Sequence, residues 1–397
     1  MKVGIPTETF PGERRVALVP DTAALLKKAG HEVQIERGAG AQAGYSDDAY
    51  EEKGVTLATG RAELFAWSEV IFQVRGLGAN LEKGQADLDL MKPGLVLIAG
   101  LDPLSEPKAV EKLAAAKVMA FSMELMPRIT RAQSMDILSS MATIAGYKAM
   151  LIAADSSIRM FPMFMTAAGT ITPAHVFIMG VGVAGLQAIS MGRRLGAIVK
   201  AYDVRPAVKE QVESLGAKFV EMELDAGDAE TKGGYAKEMS DEFLRKQREL
   251  MTETLAESHV VITTAAIPGR KSPILVTAEM VKAMMPGAVI IDLAAERGGN
   301  CELTKAGETV VAHGVTIFGP LNLASTIPLH ASQMFSKNLT TFLAELTKDG
   351  ALALDMENEV LRETLVAHEG EVVHPRIRDL LGLSPIKPAE ETTPTAS

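Results

Sequence analysis

Apolar and polar residues follow one repeating rhythm through this chain, and that rhythm predicts its elements. Apolar runs of strand length lie at Lys2–Ile5, Glu32–Glu36, Glu69–Val74, Gly94–Leu101 and Val118–Ser122. Helical patterns separate some of them, at Asp21–Ala29, stopped by Gly30, and at Pro107–Ala116. Strands alternating with helices read as βαβ units, in which each helix crosses over so that the strands run parallel. A helical stretch covering about Gln133 to Asp155 leads away from this first set. The apolar run Met160–Ile171 holds Pro162 and Gly169, is too short to span a membrane, and reads as packed core.

From His175 the rhythm starts again, with strands predicted at 175–179, 197–202, 217–220, 259–264, 288–293 and 309–318. Helices are predicted at 206–214, 236–257 and 277–284, and Ser332–Leu346 reads as a helix leaving this second set. At its head, the apolar strand His175–Met179 runs into Gly180-Val-Gly182-Val183-Ala184-Gly185, then a helix to Leu195, then a strand ending on Asp203. Three glycines at this spacing, between a strand and a helix, are the dinucleotide-binding fingerprint in its required context. Gly180 permits the tight turn, Gly182 lets the backbone approach a pyrophosphate, and Gly185 lets helix and strand pack closely. The pyrophosphate sits on the helix N-terminus, where N–H groups and the dipole favour an anion. Asp203, 18 residues after Gly185, stands where an acid grips the adenosine ribose and repels a 2′-phosphate. That predicts NAD(H) rather than NADP(H), against the alternative of a glycine-rich turn that binds nothing.

The predicted fold class is therefore α/β: two Rossmann-like doubly wound parallel-sheet domains with a cleft between them as the ligand site. The first domain is discontinuous, 1–137 plus 327–383, the dinucleotide-binding domain is 138–326, and 384–397 is a disordered tail or linker. A length of 397 residues exceeds what one core usually organises, which fits this division. A net charge of −10 argues against nucleic acid and anionic membrane surfaces. The single cysteine, Cys301, permits no intramolecular disulfide and reads as a small buried hydrophobe. The N-terminus reads as a short strand rather than a signal peptide, so the chain is expected to be cytoplasmic. The seven histidines show no metal-ligand spacing, so no metal is expected.

Five further segments carry candidate chemistry. Arg128-Ile-Thr-Arg131-Ala-Gln133-Ser134-Met-Asp136-Ile-Leu-Ser139 is unusually polar for a segment that follows a strand. Either it points Arg128, Gln133, Asp136 and Ser139 into the cleft, where Gln133 can pair with a nicotinamide or ribose, or it is a solvated loop with a helix cap. Lys232-Gly233-Gly234-Tyr235 reads equally as a lid over nucleotide and as an exposed insertion. Thr264, Ala265, Ala266 and Pro268 follow a strand at its carboxyl end and line the adenosine pocket in an open α/β sheet, with Val204 and Arg205 beside Asp203. The carboxylates of Asp292–Asn300 either contact ribose or cap a turn. Glu13-Arg14-Arg15 is either an anion site or a surface charge cluster.

Taken together, Met123–Ser139, Met165-Thr-Ala-Ala-Gly169, Gly180–Ala188, Gly233–Glu238 and Gly298-Gly-Asn300 resemble the NAD(H)-binding first domain of proton-translocating nicotinamide nucleotide transhydrogenases. The likeness runs from Gly12 to about residue 375 and is most specific at Met123–Ser139. It implies that Arg128, Gln133, Asp136 and Ser139 form the nicotinamide-site loop and that Tyr235 sits on a mobile lid. It also implies a homodimer that docks on an NADP(H)-binding beta subunit. Membrane-spanning alpha-2 and beta subunits would carry protons and hold the chain peripherally at the inner membrane. Direct hydride transfer needs no protein acid or base, only two positioned nicotinamides and exclusion of water. Alanine dehydrogenases belong to the same superfamily and are the first alternative; Arg15 matches their substrate arginine. Arg75 and Asp102, however, stand where they carry a lysine and a catalytic histidine, and neither replacement preserves proton transfer near neutral pH. A non-catalytic NAD sensor is the second alternative.

Overall fold

The computed structural model describes residues 1–221, 241–267 and 269–385. Gly234, Tyr235, Pro268 and nearly all of the predicted tail lie outside the described residues. The chain separates into two compact units, Leu138–Ile327 and Met1–Ile137 with the described part of Pro328–Ser397.

The first unit is built on an eight-stranded sheet. Its six parallel strands run in the order Thr56–Ala58, Glu32–Glu36, Lys2–Ile5, Val70–Arg75, Val96–Gly100, Met119–Ser122. Numbered along the chain this is 3-2-1-4-5-6, the doubly wound order. The C-terminal segment adds Leu365–His368 antiparallel to Met119–Ser122, then Glu371–Val372. The helix Pro328–Leu346 belongs to this unit as well. Its Ser332 and Ser336 hydroxyls accept from the Val16 and Val19 N–H groups at 3.0 Å each, and Phe342 meets Phe121 edge-on at 5.3 Å.

The second unit holds a seven-stranded sheet in the order Lys218–Phe219, Ile198–Tyr202, His175–Met179, Val260–Thr263, Val289–Asp292, Val315–Phe318, Thr309–Ala312. All pairings but the last are parallel. Both faces are covered: Val176 and Ile178 enter one apolar cluster, while Phe177 and Met179 enter another. That is why His175–Met179 reads as an unbroken apolar run instead of alternating.

Three elements differ from their sequence expectation. The stretch 309–318 is not one strand. It is two antiparallel strands joined at His313-Gly314, both with positive φ (52° and 81°), as a two-residue primed turn demands. The helix expected from Gln133 is interrupted. Thr130–Met135 is a 3-10 helix, Asp136 is extended (φ −79°, ψ 98°), and the α-helix begins at Ile137, because aspartate favours the position before a helix over its interior. Of Met160–Ile171, Phe161 is buried in the core as expected, but Met163–Ile171 is not. Phe164–Thr166 and Gly169–Ile171 form a separate two-stranded ribbon on which Met163, Met165 and Ile171 stand exposed, Met165 by 78%. An apolar composition does not bury a ribbon that has no second layer over it. Among the described residues, one helix, Ile137–Ser156, is long and apolar enough to cross a membrane, and a third of its most apolar stretch is buried.

That helix packs on the fingerprint through Gly146, where a Cβ would lie 2.1 Å from the Ala184 carbonyl oxygen. Gly146→Ala is therefore expected to lower the urea midpoint of the second unit. Overpacking costs about 1–3 kcal/mol, against roughly 1 kcal/mol gained in helix propensity. A raised midpoint would show that the two helices separate freely.

Candidate functional site

In the second unit, the glycine loop occupies the carboxyl end of the sheet at the point where strand order reverses, between His175–Met179 and Val260–Thr263. This is where open α/β sheets bind ligands. Gly180 has φ 99° and passes so close to Thr264 that a Cβ would meet its hydroxyl at 2.6 Å. The Gly180 carbonyl accepts from Thr264 Oγ1 at 2.9 Å, and its N–H donates to the Tyr202 carbonyl. A Cβ on Gly185 would lie 2.0 Å from the Gly180 oxygen, so helix and loop touch backbone to backbone. Gly182 is different. It precedes the helix Val183–Arg194, its φ of −81° suits any residue, and a Cβ there would meet nothing within 4 Å. The described residues give no steric reason for glycine at 182, whereas a pyrophosphate lying on the loop would. The Val183, Ala184 and Gly185 N–H groups are in the first turn, where no intrahelical acceptor exists, so this open surface carries donors of the right sign.

Asp203 closes the loop from the neighbouring strand end. Its Oδ2 accepts from the Val181 N–H at 2.7 Å, and its carboxylate pairs with Arg205 through Nε and Nη2 at 2.9 and 3.0 Å. Val204 packs on the core cluster beside it. Across the switch point, Ala265 and exposed Ala266 follow Thr264. Asn300 fixes this turn: its Oδ1 accepts from Ala265 N–H at 2.9 Å, and its Nδ2 donates to the Ala265 and Pro273 carbonyls at 2.8 Å.

Between the two readings of Asp292–Asn300, the geometry selects the structural one for Asp292. That carboxylate is fully buried and accepts from Ala294, Asn300 and Cys301 N–H groups and from the Thr263 and Thr304 hydroxyls. Glu296 accepts from Asn322 N–H at 2.6 Å. Asn300, named from the sequence only as the end of the Gly298-Gly-Asn300 motif, is thus a positioning residue. A polar side chain after Gly298-Gly299 was the available signal.

In the first unit, the Arg128–Asp136 segment follows Met119–Ser122 and is anchored from below. Ala132 and Met135 are buried, the Ser134 carbonyl accepts from Asn338 Nδ2 at 2.8 Å, and Arg131 pairs with Glu345 at 3.4 Å and donates to Asn358 at 2.6 Å. Arg128 and Gln133 are exposed, and Asp136 is half-buried. Ser139 lies in the first turn of the helix Ile137–Ser156, half-buried, its carbonyl accepting from Thr143 Oγ1. Arg128 and Gln133 are thus exposed polar side chains on an anchored segment.

The same unit has its own switch point, at the ends of Lys2–Ile5 and Val70–Arg75, and its side chains fill it. Buried Arg15 makes a bidentate pair with Glu13 (2.7 and 2.6 Å), and Arg75 approaches the same carboxylate at 3.3 Å while covering the Phe10 ring at 4.3 Å. Glu13 and Arg15 thus form a buried pair rather than a surface charge cluster, with Arg14 exposed between them, and the Arg15 charge is matched within the chain. Glu8 accepts from the Val74 and Arg75 N–H groups, yet burial raises its pKa to about 8, with the nearby Glu13 charge adding to the rise. Burial also raises Glu124, which accepts from the Leu101 and Asp102 N–H groups and the Ser122 hydroxyl. Asp102 takes a positive φ of 46° just beyond Gly100.

Two family models match the chain: the alanine dehydrogenase/PNT N-terminal domain at residues 4–145 and the C-terminal domain at 149–375. The first polypeptide of a divided NAD(P) transhydrogenase subunit alpha, from Rhodospirillum rubrum, is 48% identical over 95% of this chain and 99% of its own length. An alanine dehydrogenase from Bacillus subtilis is 26% identical, over 98% and 97% of the two chains. The crystal structure of transhydrogenase from Sinorhizobium meliloti superimposes with a TM-score of 0.83 at 45% identity, covering 94% of this chain and 100% of that one.

The raised Glu8 pKa has a measurable consequence. Between its ordinary 4.5 and about 8, the folded chain holds a proton that the unfolded chain has lost, so this group's contribution to stability falls as pH rises through that window and levels off above it. Relative to wild type, Glu8→Gln is expected to gain stability steadily across the window and then stop. Urea midpoints at a series of pH values check this; a constant difference would mean that Glu8 is ionised throughout.

Proposed function

We propose, because this chain belongs to the alanine dehydrogenase/PNT family and stands with the NAD(P) transhydrogenase alpha subunits, that it binds NAD(H) and passes hydride to NADP⁺ held by a partner. The observation that carries the NAD(H) reading is the open approach at Gly182 flanked by first-turn amides, with Asp203 closing the loop. In this reading Gly180, Gly182, Val183, Ala184 and Gly185 hold the pyrophosphate. Asp203, with Val204 and Arg205, meets the adenosine ribose, and Thr264, Ala265, Ala266 and Pro268 line the adenine side. Gly234 and Tyr235 cover the nucleotide. Bound NADH supplies the hydride from its nicotinamide ring.

Arg128, Gln133, Asp136 and Ser139 orient that ring. Direct transfer between two nicotinamides asks the protein for position and dryness, and for no proton at either end. Stand-alone alanine dehydrogenase chemistry is disfavoured, since Arg75 is committed to Glu13 and Phe10, and Asp102 stands where a base working near neutral pH is required. Proton translocation and membrane attachment belong, in this reading, to the beta and alpha-2 subunits. The homodimer also belongs to it: exposed Met163, Phe164, Met165 and Ile171 on a ribbon with open edges need a cover, and a second copy provides one.

Four outcomes test this reading. Mixed with a purified NADP(H)-binding partner domain, the chain is expected to catalyse transfer from NADH to an NADP⁺ analogue. Alone, it is expected not to oxidise NADH with pyruvate and ammonium; the reverse pattern would make it an amino-acid dehydrogenase. In the same mixture Gln133→Asn is expected to slow transfer by about tenfold or more while NADH affinity changes little, since only misorientation is introduced; equal losses would reduce the loop to a binding element. Light scattering is expected to give a dimer that Met165→Lys with Ile171→Lys dissociates. A wild-type monomer would refute the homodimer.

A further inference from the structure

Asp203 and Arg205 stand two residues apart, and their side chains form one unit. Arg205 Nε and Nη2 donate to the two carboxylate oxygens of Asp203 at 2.9 and 3.0 Å, a fork-to-fork pair. Both side chains are largely withdrawn from solvent, 8% exposed for Asp203 and 19% for Arg205. Together they hold the Val181 peptide between Gly180 and Gly182. Its N–H donates to Asp203 Oδ2 at 2.7 Å, and its carbonyl accepts from Arg205 Nη2 at 3.3 Å. An acid at this strand end accepts from a ribose 2′-hydroxyl, whereas an arginine nearby accommodates a 2′-phosphate. This chain places both at the same point.

We propose that Arg205 is a latent receptor for the 2′-phosphate of NADP(H), kept out of use by Asp203, so that the ion pair and not the acid alone sets selectivity for NAD(H). The inference rests on the NAD(H) reading of this site. A guanidinium fork offers a bounded set of donors. Here two of them already meet a carboxylate that also cancels the charge a phosphate would seek. A 2′-phosphate therefore meets the Asp203 charge and a guanidinium already neutralised. A ribose hydroxyl is uncharged and meets no such repulsion, even though both Asp203 oxygens already accept twice, from Val181 N–H and Arg205 Nη2 and from Arg205 N–H and Nε. Neutralising position 203 removes the repulsion and releases the receptor in one step.

The test is titration of the intact chain with NADH and NADPH for wild type, Asp203→Asn, Arg205→Gln and the double variant. Asparagine keeps an oxygen for the Val181 N–H, so the loop retains its anchor. Asp203→Asn is expected to bind NADPH about tenfold tighter than wild type, the scale of one charge-assisted hydrogen bond, while NADH binding weakens. The double variant is expected to lose that gain. Raising the salt concentration is expected to shrink it for NADPH and leave NADH unaffected. Asp203→Ser supplies a second background for the same comparison. If the double variant keeps the full gain, repulsion by Asp203 alone sets selectivity and the inference is overturned. It is equally overturned if Asp203→Asn and Asp203→Ser still bind NADH yet gain nothing for NADPH. A wild-type chain that binds neither nucleotide overturns the NAD(H) reading itself, and this inference with it.

Discussion

A carboxylate with no exposure to water, Asp292, organises the nucleotide end of the second unit. A buried charge survives only when donors replace its hydration, and here five do so: three backbone N–H groups and two threonine hydroxyls. Converging on it bends the chain from Ala294 to Thr304 tightly round the strand end. Gly299 is part of the same constraint, since its φ is 81° and a Cβ would stand 2.7 Å from Asp292 Oδ2. The bend carries Asn300 to Ala265, and Thr264 in turn bonds the Gly180 carbonyl. The floor of the candidate nucleotide site is thus continuous with a carboxylate buried within the chain.

Each unit repeats the same winding, and the contrast between their switch points explains which one is suited to a dinucleotide. Both sheets place strands 1 and 4 side by side and so create a crevice at their carboxyl ends. In the second unit the first strand is followed by glycines, and Gly182 leaves open space above donating amides. In the first, the strand is followed by Pro6-Thr-Glu8-Thr, and the crevice is filled by Glu8, Glu13, Arg15 and Arg75 bonded to one another and to the backbone. The first unit contributes a polar segment instead, stiffened by bonds to the helix Pro328–Leu346 and by the Arg131–Glu345 pair. That helix and the strand Leu365–His368 join residues more than two hundred positions apart in the chain.

How much was legible without coordinates depends on how local each constraint is. The fingerprint was readable because strand, turn, helix and strand follow one another within 29 residues, 175 to 203, although of its glycines only Gly185 answers to a neighbour in that stretch, while Gly180 answers to Thr264. The parallel strands were readable because burial on both faces writes an unbroken apolar run. The His313-Gly314 turn was overlooked although its residue types suit positive φ, because the apolar residues on either side dominate the window. The ribbon at Phe164–Ile171 misled for the opposite reason: apolar content states a need for cover and not what provides it.

The sequence by itself determined the fold class, the glycine-rich turn between strand and helix and the polar character of the segment at Arg128–Ser139, since each is written in neighbouring residues. Tertiary structure alone decided what the charged side chains do. Asp292 proved internal because donors from Thr263, Ala294, Asn300, Cys301 and Thr304 arrive there only when the chain folds. Arg15 proved matched by Glu13, and Arg205 by Asp203, because the direction in which a long side chain points is set by packing. A residue's type limits its chemistry, but its partners are fixed by distances in space, which the order of the chain does not contain.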